Sequence, residues 1–460
     1  MKIYNTLTKK IEELVPIKEK EIRMYTCGPT VYNYAHIGNL RTYVSEDILE
    51  KSLKFLGYNV IRAMNITDVG HLVGDGDTGE DKLSKAAKQE KKSVLEIAEF
   101  YTNQFFEDFK KLNIDKPKII SKATDNIDEY IKIISNLLEK GYAYISNGNV
   151  YFDTSKYDKY YELSGRNKDD MKVASRDEIE EDKNKRNPFD FGLWFTNSKF
   201  NDQELKWNSP WGIGYPGWHI ECSGIAIKYL GEYLDIHCGA EDAIFPHHTN
   251  EIAQSECYLG HKWCNYWIHL GFLIDTNGKM SKSSGEFLTL SLLESKGYNP
   301  LSYRYFCLNS HYHKQLEFNY NSLDIAQNAY FKLKNRVQNL KNEGELDQKV
   351  YDEYILKFKN AIENDLNTSL MITNTYDILK ENTSDNTKIA VIKEYEKVLS
   401  LDLFKEEKVD VDDEIIKKIE ERTKAKQEKN YALADEIRKE LEEKGIRLID
   451  TKEGTKFERI

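Results

Sequence analysis

An alternation of strand-like and helix-like segments over the first 115 residues constrains this chain more than any other feature. Glu21 to Cys27 reads as a strand. Gly38 to Gly57 reads as a helix with Tyr43, Ile48, Leu49, Leu53 and Leu56 on its buried side, and Asn59 to Thr67 as a second strand. A strand, a crossover helix and a second strand form a βαβ unit, which opens a parallel sheet whose ligands bind at the carboxyl ends of the strands. The turn into the helix carries His36-Ile37-Gly38-Asn39. An imidazole and a carboxamide there sit where free N–H groups and the helix dipole favour a phosphate. About 240 residues later, Lys279-Met280-Ser281-Lys282-Ser283 sets two ammonium groups three residues apart on a Gly-flanked loop. Either run alone is weak, since a lysine-rich loop is often only surface. In this order they suit a clamp on a nucleoside triphosphate.

At 460 residues the chain exceeds what one core supports and should divide into three or four domains. Its 31% charged residues, with no apolar run approaching the ~20 residues of a membrane span, read as a soluble protein with no membrane partner. The start, Met1-Lys2-Ile3-Tyr4-Asn5-Thr6, lacks the apolar stretch of a signal peptide. Six cysteines in so long a chain read as thiols or metal ligands rather than disulfides, and the expected compartment is the cytoplasm. A net charge of −11 argues mildly against nucleic acid, although a local basic patch matters more than the total.

The expected class is α/β. Residues 1–115 are the first half of a Rossmann-type catalytic domain, 116–210 a connective insertion containing the strand-like Asn149-Val150-Tyr151-Phe152, and 211–262 the second half. Residues 263–320 carry the lysine loop, 321–405 form a helical bundle, and 406–460 a small α+β tail. Ala326, Tyr330, Leu333, Val337 and Leu340 step by four and three, the stripe of a packed helix. In the tail a helical hairpin, with Leu433, Ile437 and Leu441 as its buried stripe, ends in the strand Ile446 to Ile449.

Cys27 ends the first strand and Cys222 begins a helix, while His247 and Glu251 stand four apart on one face of another. Two thiolates, an imidazole and a carboxylate suit tetrahedral zinc. From spacing alone, Cys238, His237, His219 and His248 are equal competitors, and buried structural thiols explain the cysteines as well.

The strings Cys27-Gly-Pro-Thr-Val-Tyr32, Ala35-His-Ile-Gly-Asn39, Asn65-Ile-Thr-Asp68, Ser209-Pro-Trp-Gly212, Pro216-Gly-Trp-His-Ile-Glu-Cys-Ser223, Phe245-Pro-His-His248 and Asn250-Glu-Ile-Ala-Gln-Ser255 resemble those of cysteinyl-tRNA synthetases, a family of class I aminoacyl-tRNA synthetases. The resemblance runs from about residue 3 to the C-terminus. It implies ATP-dependent activation of L-cysteine to an adenylate and transfer to the 3′ end of tRNA(Cys). One zinc per chain, on Cys27, Cys222, His247 and Glu251, would hold the substrate thiolate. Zinc deprotonates a thiol and prefers soft sulfur to a serine hydroxyl, so such a site discriminates without editing. The resemblance also places His36, Gly38, Asn39, Gly239, Asp242, Lys279 and Lys282 around ATP and its Mg²⁺. Thr67, Trp218, His219 and His237 would line the cysteine pocket, and Tyr431 and Asp435 would meet the anticodon. A monomer is expected.

Two stretches depart from the family pattern. After Val69 the chain reads Gly70-His-Leu-Val-Gly-Asp-Gly-Asp-Thr-Gly-Glu-Asp-Lys82 where the family has Asp-Asp-Lys; its Asp75/Asp77 spacing resembles a calcium loop, but Gly79 occupies the next ligand position. In the tail, Lys429-Asn430-Tyr431 replaces the family's Lys-Asp-Trp, and the stretch from Lys417 to Lys429 holds six Lys/Arg against three Glu. Two rival readings compete with this one. One is a cysteine ligase of the mycothiol pathway, whose family lacks the long tail. The other is a non-catalytic tRNA-binding paralogue, which would be expected to lose signature residues.

Overall fold

The computed structural model describes residues 1–69, 83, 86, 93–165, 183–197, 204–275, 278–279, 287–406, 413–428, 430–443, 446–451 and 454–459. The Gly70–Lys82 departure and Lys282 therefore lie outside the described residues. Two compact units are present, Met1–Leu403 and Phe404–Ile460.

The first unit is built on five parallel strands in the order Cys264–Leu270, Leu234–Ala240, Glu21–Thr26, Asn59–Ile66, Ile119–Lys122. From the central strand Glu21–Thr26 the chain builds outward through the next two strands. It then returns to build the other side. Neighbouring strands Glu21–Thr26 and Leu234–Ala240 thus lead away from one another beyond their carboxyl ends, and a crevice opens there. The edge strand Ile119–Lys122 comes from the segment that the sequence assigns to the insertion. The rest of that segment supplies helix Ile127–Glu139 and most of an antiparallel sheet of Ala143–Ser146, Asn149–Phe152, Phe191–Phe195 and Tyr215–Pro216.

Helix Ile37–Phe55 packs on strands Asn59–Ile66 and Leu234–Ala240. It buries the expected Tyr43, Ile48, Leu49 and Leu53, and also Arg41, Glu46, Asp47, Glu50 and Lys51. Sequence periodicity shows only the apolar stripe. Several of these buried charges are held by partners from distant segments. Asp47 Oδ2 accepts from Lys51 Nζ at 2.8 Å and from Arg304 at 2.6 Å, and Glu50 Oε2 lies 3.0 Å from Arg62. Arg41 donates to the carbonyls of Gly271, Phe272, His311 and Lys314.

Beyond the sheet, Leu273–Asp275 pairs with Gly278–Lys279 on one side and Leu316–Glu317 on the other. Helices Tyr320–Gln338, Gln348–Glu363, Thr368–Lys380 and Asp385–Leu399 follow, with Ala326, Tyr330, Leu333 and Val337 buried.

The second unit contains helices Asp413–Gln427 and Tyr431–Glu443 and a hairpin of Ile446–Thr451 with Gly454–Arg459. Its core is Ile437, Leu441, Ile446 and Leu448, packed by Ile419. Leu433 is not in the buried stripe: it is exposed, and Ala434 takes the inward position. The second hairpin strand, Gly-Thr-Lys-Phe-Glu-Arg, carries one large apolar residue and so gives no strand signal. Among the described residues no helix is long and apolar enough to cross a membrane.

Candidate active site and metal centre

The crevice between the two central strands is lined by Cys27, Gly28, Asn39, Thr42, Tyr43 and Asn65 on one side. Trp218, Cys222, Gly239, Asp242, Pro246 and His247 line the other. Gly28 is obligatory, since a Cβ there would lie 1.6 Å from the Asn65 carbonyl oxygen. Asn65 fixes this corner. Its Oδ1 accepts from Gly28 N at 2.7 Å and from the Tyr25 hydroxyl at 3.1 Å.

Cys27, Cys222, His247 and Glu251 bring one donor atom each to within 4.8 Å of the others, although they come from a strand end and two helices. A second grouping of the same tightness joins Cys27 and Glu251 with His237 and His248. Three members of the first set border the crevice, whereas His237 and His248 are fully buried behind it. His237 Nε2 is 2.9 Å from Glu251 Oε2, and His248 lies between Cys27 Sγ at 3.3 Å and His269 Nε2 at 2.8 Å. His248 thus braces Cys27, which borders the crevice, and His237 braces Glu251 behind it. Cys238 is buried in its strand and joins neither grouping.

The donor set fits a metal ion. Glu251 Oε1 is buried 3.0 Å from His247 Nε2. An imidazole and a carboxylate held this close to two thiols form a donor set that a shared cation could occupy. The same cluster is strongly coupled electrostatically. Burial alone would raise the Glu251 carboxyl, but His237 and His247 pull it down to about 2. Burial would likewise depress His247, but Glu251 and Cys222 lift it to about 10. Its hydrogen bond with Cys222, then burial, pushes the Cys27 thiol up, while the same bond lowers Cys222. Buried groups driven this far apart mark a functional site, and a dication there deprotonates coordinating thiols.

His36 is the N-cap of helix Ile37–Phe55, its Nδ1 accepting from Gly38 N at 3.1 Å, and Asn39 is exposed on the first turn. A Cβ on Gly239 would lie 2.6 Å from His248 Cε1, so Gly239 makes room for that imidazole. Asp242 is exposed on the turn Glu241–Ile244 at the crevice rim. The Lys279 backbone pairs with Ile274.

Of the four residues expected in the substrate pocket, Trp218 lines the crevice and three stand behind it. Thr67 donates to Glu221 Oε2 at 3.1 Å and accepts from Asn65 at 2.9 Å. His219 Nδ1 is 2.9 Å from His247 Nδ1, and His237 braces Glu251. Sequence reasoning missed Thr42 and His269, and read Tyr43 only as part of the helix's buried side. Helical phase pairs Asn39 with Tyr43, whereas no sequence signal marks His269. Tyr431 (62% exposed) and Asp435 stand on solvent-facing turns of the tail helix, a position open to a partner.

The parallel sheet, with its crevice beside the N-terminus of helix Ile37–Phe55 (the signature helix, which His36 caps and which carries Gly38 and Asn39), is a nucleotide-binding α/β frame. Residues 13–328 match the family described as the tRNA synthetases class I (C) catalytic domain. The chain is 46% identical to a cysteine–tRNA ligase of Treponema denticola, covering 100% of both chains. It is 45% identical to one from Borrelia garinii subsp. bavariensis (100% of this chain, 99% of that one) and 40% identical to cysteine–tRNA ligase 1 of Burkholderia lata (99% and 96%). The chain belongs to the cysteine–tRNA ligase family and is an aminoacyl-tRNA ligase. In fold it is similar to Mycobacterium tuberculosis methionyl-tRNA synthetase in complex with methionyl-adenylate, with a TM-score of 0.55 at 12% identity over 83% of this chain and 90% of that one.

Proposed function

We propose that the crevice joins L-cysteine to ATP and passes the cysteinyl group to the 3′ end of tRNA(Cys). The observation that carries this reading is the convergence of Cys27, Cys222, His247 and Glu251 beside the signature helix. In the first step a cysteine carboxylate oxygen bonds to the ATP α-phosphorus and the bond to pyrophosphate breaks. In the second, a ribose hydroxyl of the tRNA displaces AMP from the acyl carbon. Neither step needs a nucleophile from the chain, so its work is positioning and charge stabilisation. His36 and Asn39 meet the phosphates, Gly239 and Asp242 the adenosine side, and Lys279 with Lys282 the β- and γ-phosphates, which arrive with Mg²⁺. A zinc ion on the four donors would supply a soft Lewis-acid site that deprotonates a thiol and bonds its sulfur. Trp218 shapes the wall beside it, His219 and His237 hold His247 and Glu251 in place, and Thr67 steadies Asn65.

The relatives match this chain end to end, including the tail that a mycothiol-type ligase lacks. Within that tail the exposed Tyr431 and Asp435 read the anticodon, the enzyme acts as a monomer, and its compartment is the cytoplasm. Cysteine-dependent ATP–pyrophosphate exchange, repeated with tRNA charging, tests the reading. Exchange with cysteine and none with serine is expected. Equal exchange with serine would contradict selection by a metal–sulfur bond, and charging of tRNA(Cys) distinguishes the ligase from its rivals.

A further inference from the structure

Two consecutive non-glycine residues, Asp365 and Leu366, hold φ at +52° and +54°, a region that side chains disfavour. They lie between helices Gln348–Glu363 and Thr368–Lys380. The next helix is capped by Asn367, which accepts from Leu370 N at 3.0 Å, so the Asp365 carboxylate is not spent on capping. It reaches outward. Oδ1 accepts from the Tyr312 hydroxyl at 2.6 Å and from Tyr4 N at 2.9 Å, and Oδ2 lies 3.5 Å from His311 Nε2. Thr368 and Ser369 donate to the carbonyls of Ser310 and Asn309, so the bundle grips the 309–312 loop at several points.

The same loop is held from its other side by the catalytic domain. Gly271 N donates to the Tyr312 carbonyl at 2.9 Å, and Arg41 donates to the carbonyls of both Gly271 and Lys314. Past Gly271 the chain enters Leu273–Asp275, whose partner strand carries Lys279. We propose that Asp365 is a positioning residue for adenylate formation: through Tyr312 it fixes the level of the Lys279-bearing strand pair relative to the signature helix. The strained turn aims the carboxylate at this loop. The proposal rests on the reading of Lys279 as a phosphate ligand, and goes beyond it in giving the helical bundle a part in the first chemical step.

The test is steady-state cysteine-dependent ATP–pyrophosphate exchange on the full-length protein with D365A, D365N, Y312F and D365A/Y312F. D365A should lower kcat about tenfold, within the range by which coupled residues outside a site act on it. KM for cysteine should stay within about twofold, because the thiol site is untouched. D365N should recover most of the rate, since its amide oxygen still accepts from Tyr4 N and the Tyr312 hydroxyl. The double variant should be no slower than D365A, because both changes cut one link. Wild-type kcat in Y312F, or losses that multiply in the double variant, would overturn the proposal, as would D365N as slow as D365A. If D365A fails to fold by circular dichroism, D365N and Y312F decide the matter alone. Failure of the wild-type protein to exchange at all would instead refute the proposed function.

Discussion

Ile37 donates its backbone N–H to the carbonyl of Leu288 at 2.9 Å, and beside it His36 bridges Thr289. The residue that starts the signature helix is thereby stitched to the segment following the lysine loop. The His36 ring also lies 5.5 Å from that of Phe287. Together with the Arg41 contacts, this fastens both roots of the lysine loop to one helix. A triphosphate bound at the helix N-terminus as proposed would lie within a frame whose two sides are fixed to each other, which is what positioning catalysis needs.

Freshly purified protein should contain close to one zinc per chain. Cys222→Ser should lose metal and cysteine binding together, since it removes a soft donor bordering the crevice. Elemental analysis and isothermal titration with cysteine read the two effects. Active protein without zinc would end the metal assignment.

Arg304→Met removes a fully buried guanidinium that donates to Asp47 at 2.6 Å, to Leu399 O at 2.7 Å and to Leu112 O at 2.9 Å. Stripping one partner from a buried pair costs about 3–5 kcal/mol. Lys51, still 2.8 Å from Asp47, should hold the loss toward the lower end. The urea midpoint should fall accordingly, and adding Asp47→Asn should return part of it. Additive losses in the double variant would contradict the pairing.

Burial pushes the Asp108 carboxyl up from its ordinary 3.8 to about 7, against the pull of Lys111 and with help from Glu294 and Glu107. The folded state therefore binds this proton more tightly than the unfolded chain does. That contribution is complete below the unfolded value and is lost as pH rises through the folded one. Three units amount to about 4 kcal/mol at most. Asp108→Asn should then melt higher than wild type, by a margin that grows from about pH 4 to pH 7 and levels off above it. A margin independent of pH would show that Asp108 is not the titrating group.

Tyr431 is 62% exposed, so its removal should cost the fold little. Stacking of an aromatic ring on an unpaired base is worth about 1–3 kcal/mol. Tyr431→Ala should lower charging efficiency roughly ten- to a hundredfold by the same principle. Melting temperature and pyrophosphate exchange should stay unchanged, and Tyr431→Trp should be tolerated. Unaltered charging by the alanine variant would remove Tyr431 from the anticodon site.

Local features were legible in the amino-acid order. The strand Glu21–Thr26, the helix after it and the strand Asn59–Ile66 follow from hydrophobic period, because period is a property of neighbours along the chain. The shared face of His247 and Glu251 follows from helical spacing in the same way. Tertiary structure decided what period cannot express. It alone placed Leu234–Ala240 against Glu21–Thr26, and so brought Cys27 to Cys222 and opened the crevice. It put His237 and His248 behind the donors, although spacing left them equal to His247. It also made buried anchors of Arg41, Asp47 and Glu50, on which the hydrophobic period is silent. Their partners, Gly271, Arg304 and Arg62, lie on other segments. A charge enters a core only when a distant group arrives to satisfy it, and that arrival is set by topology.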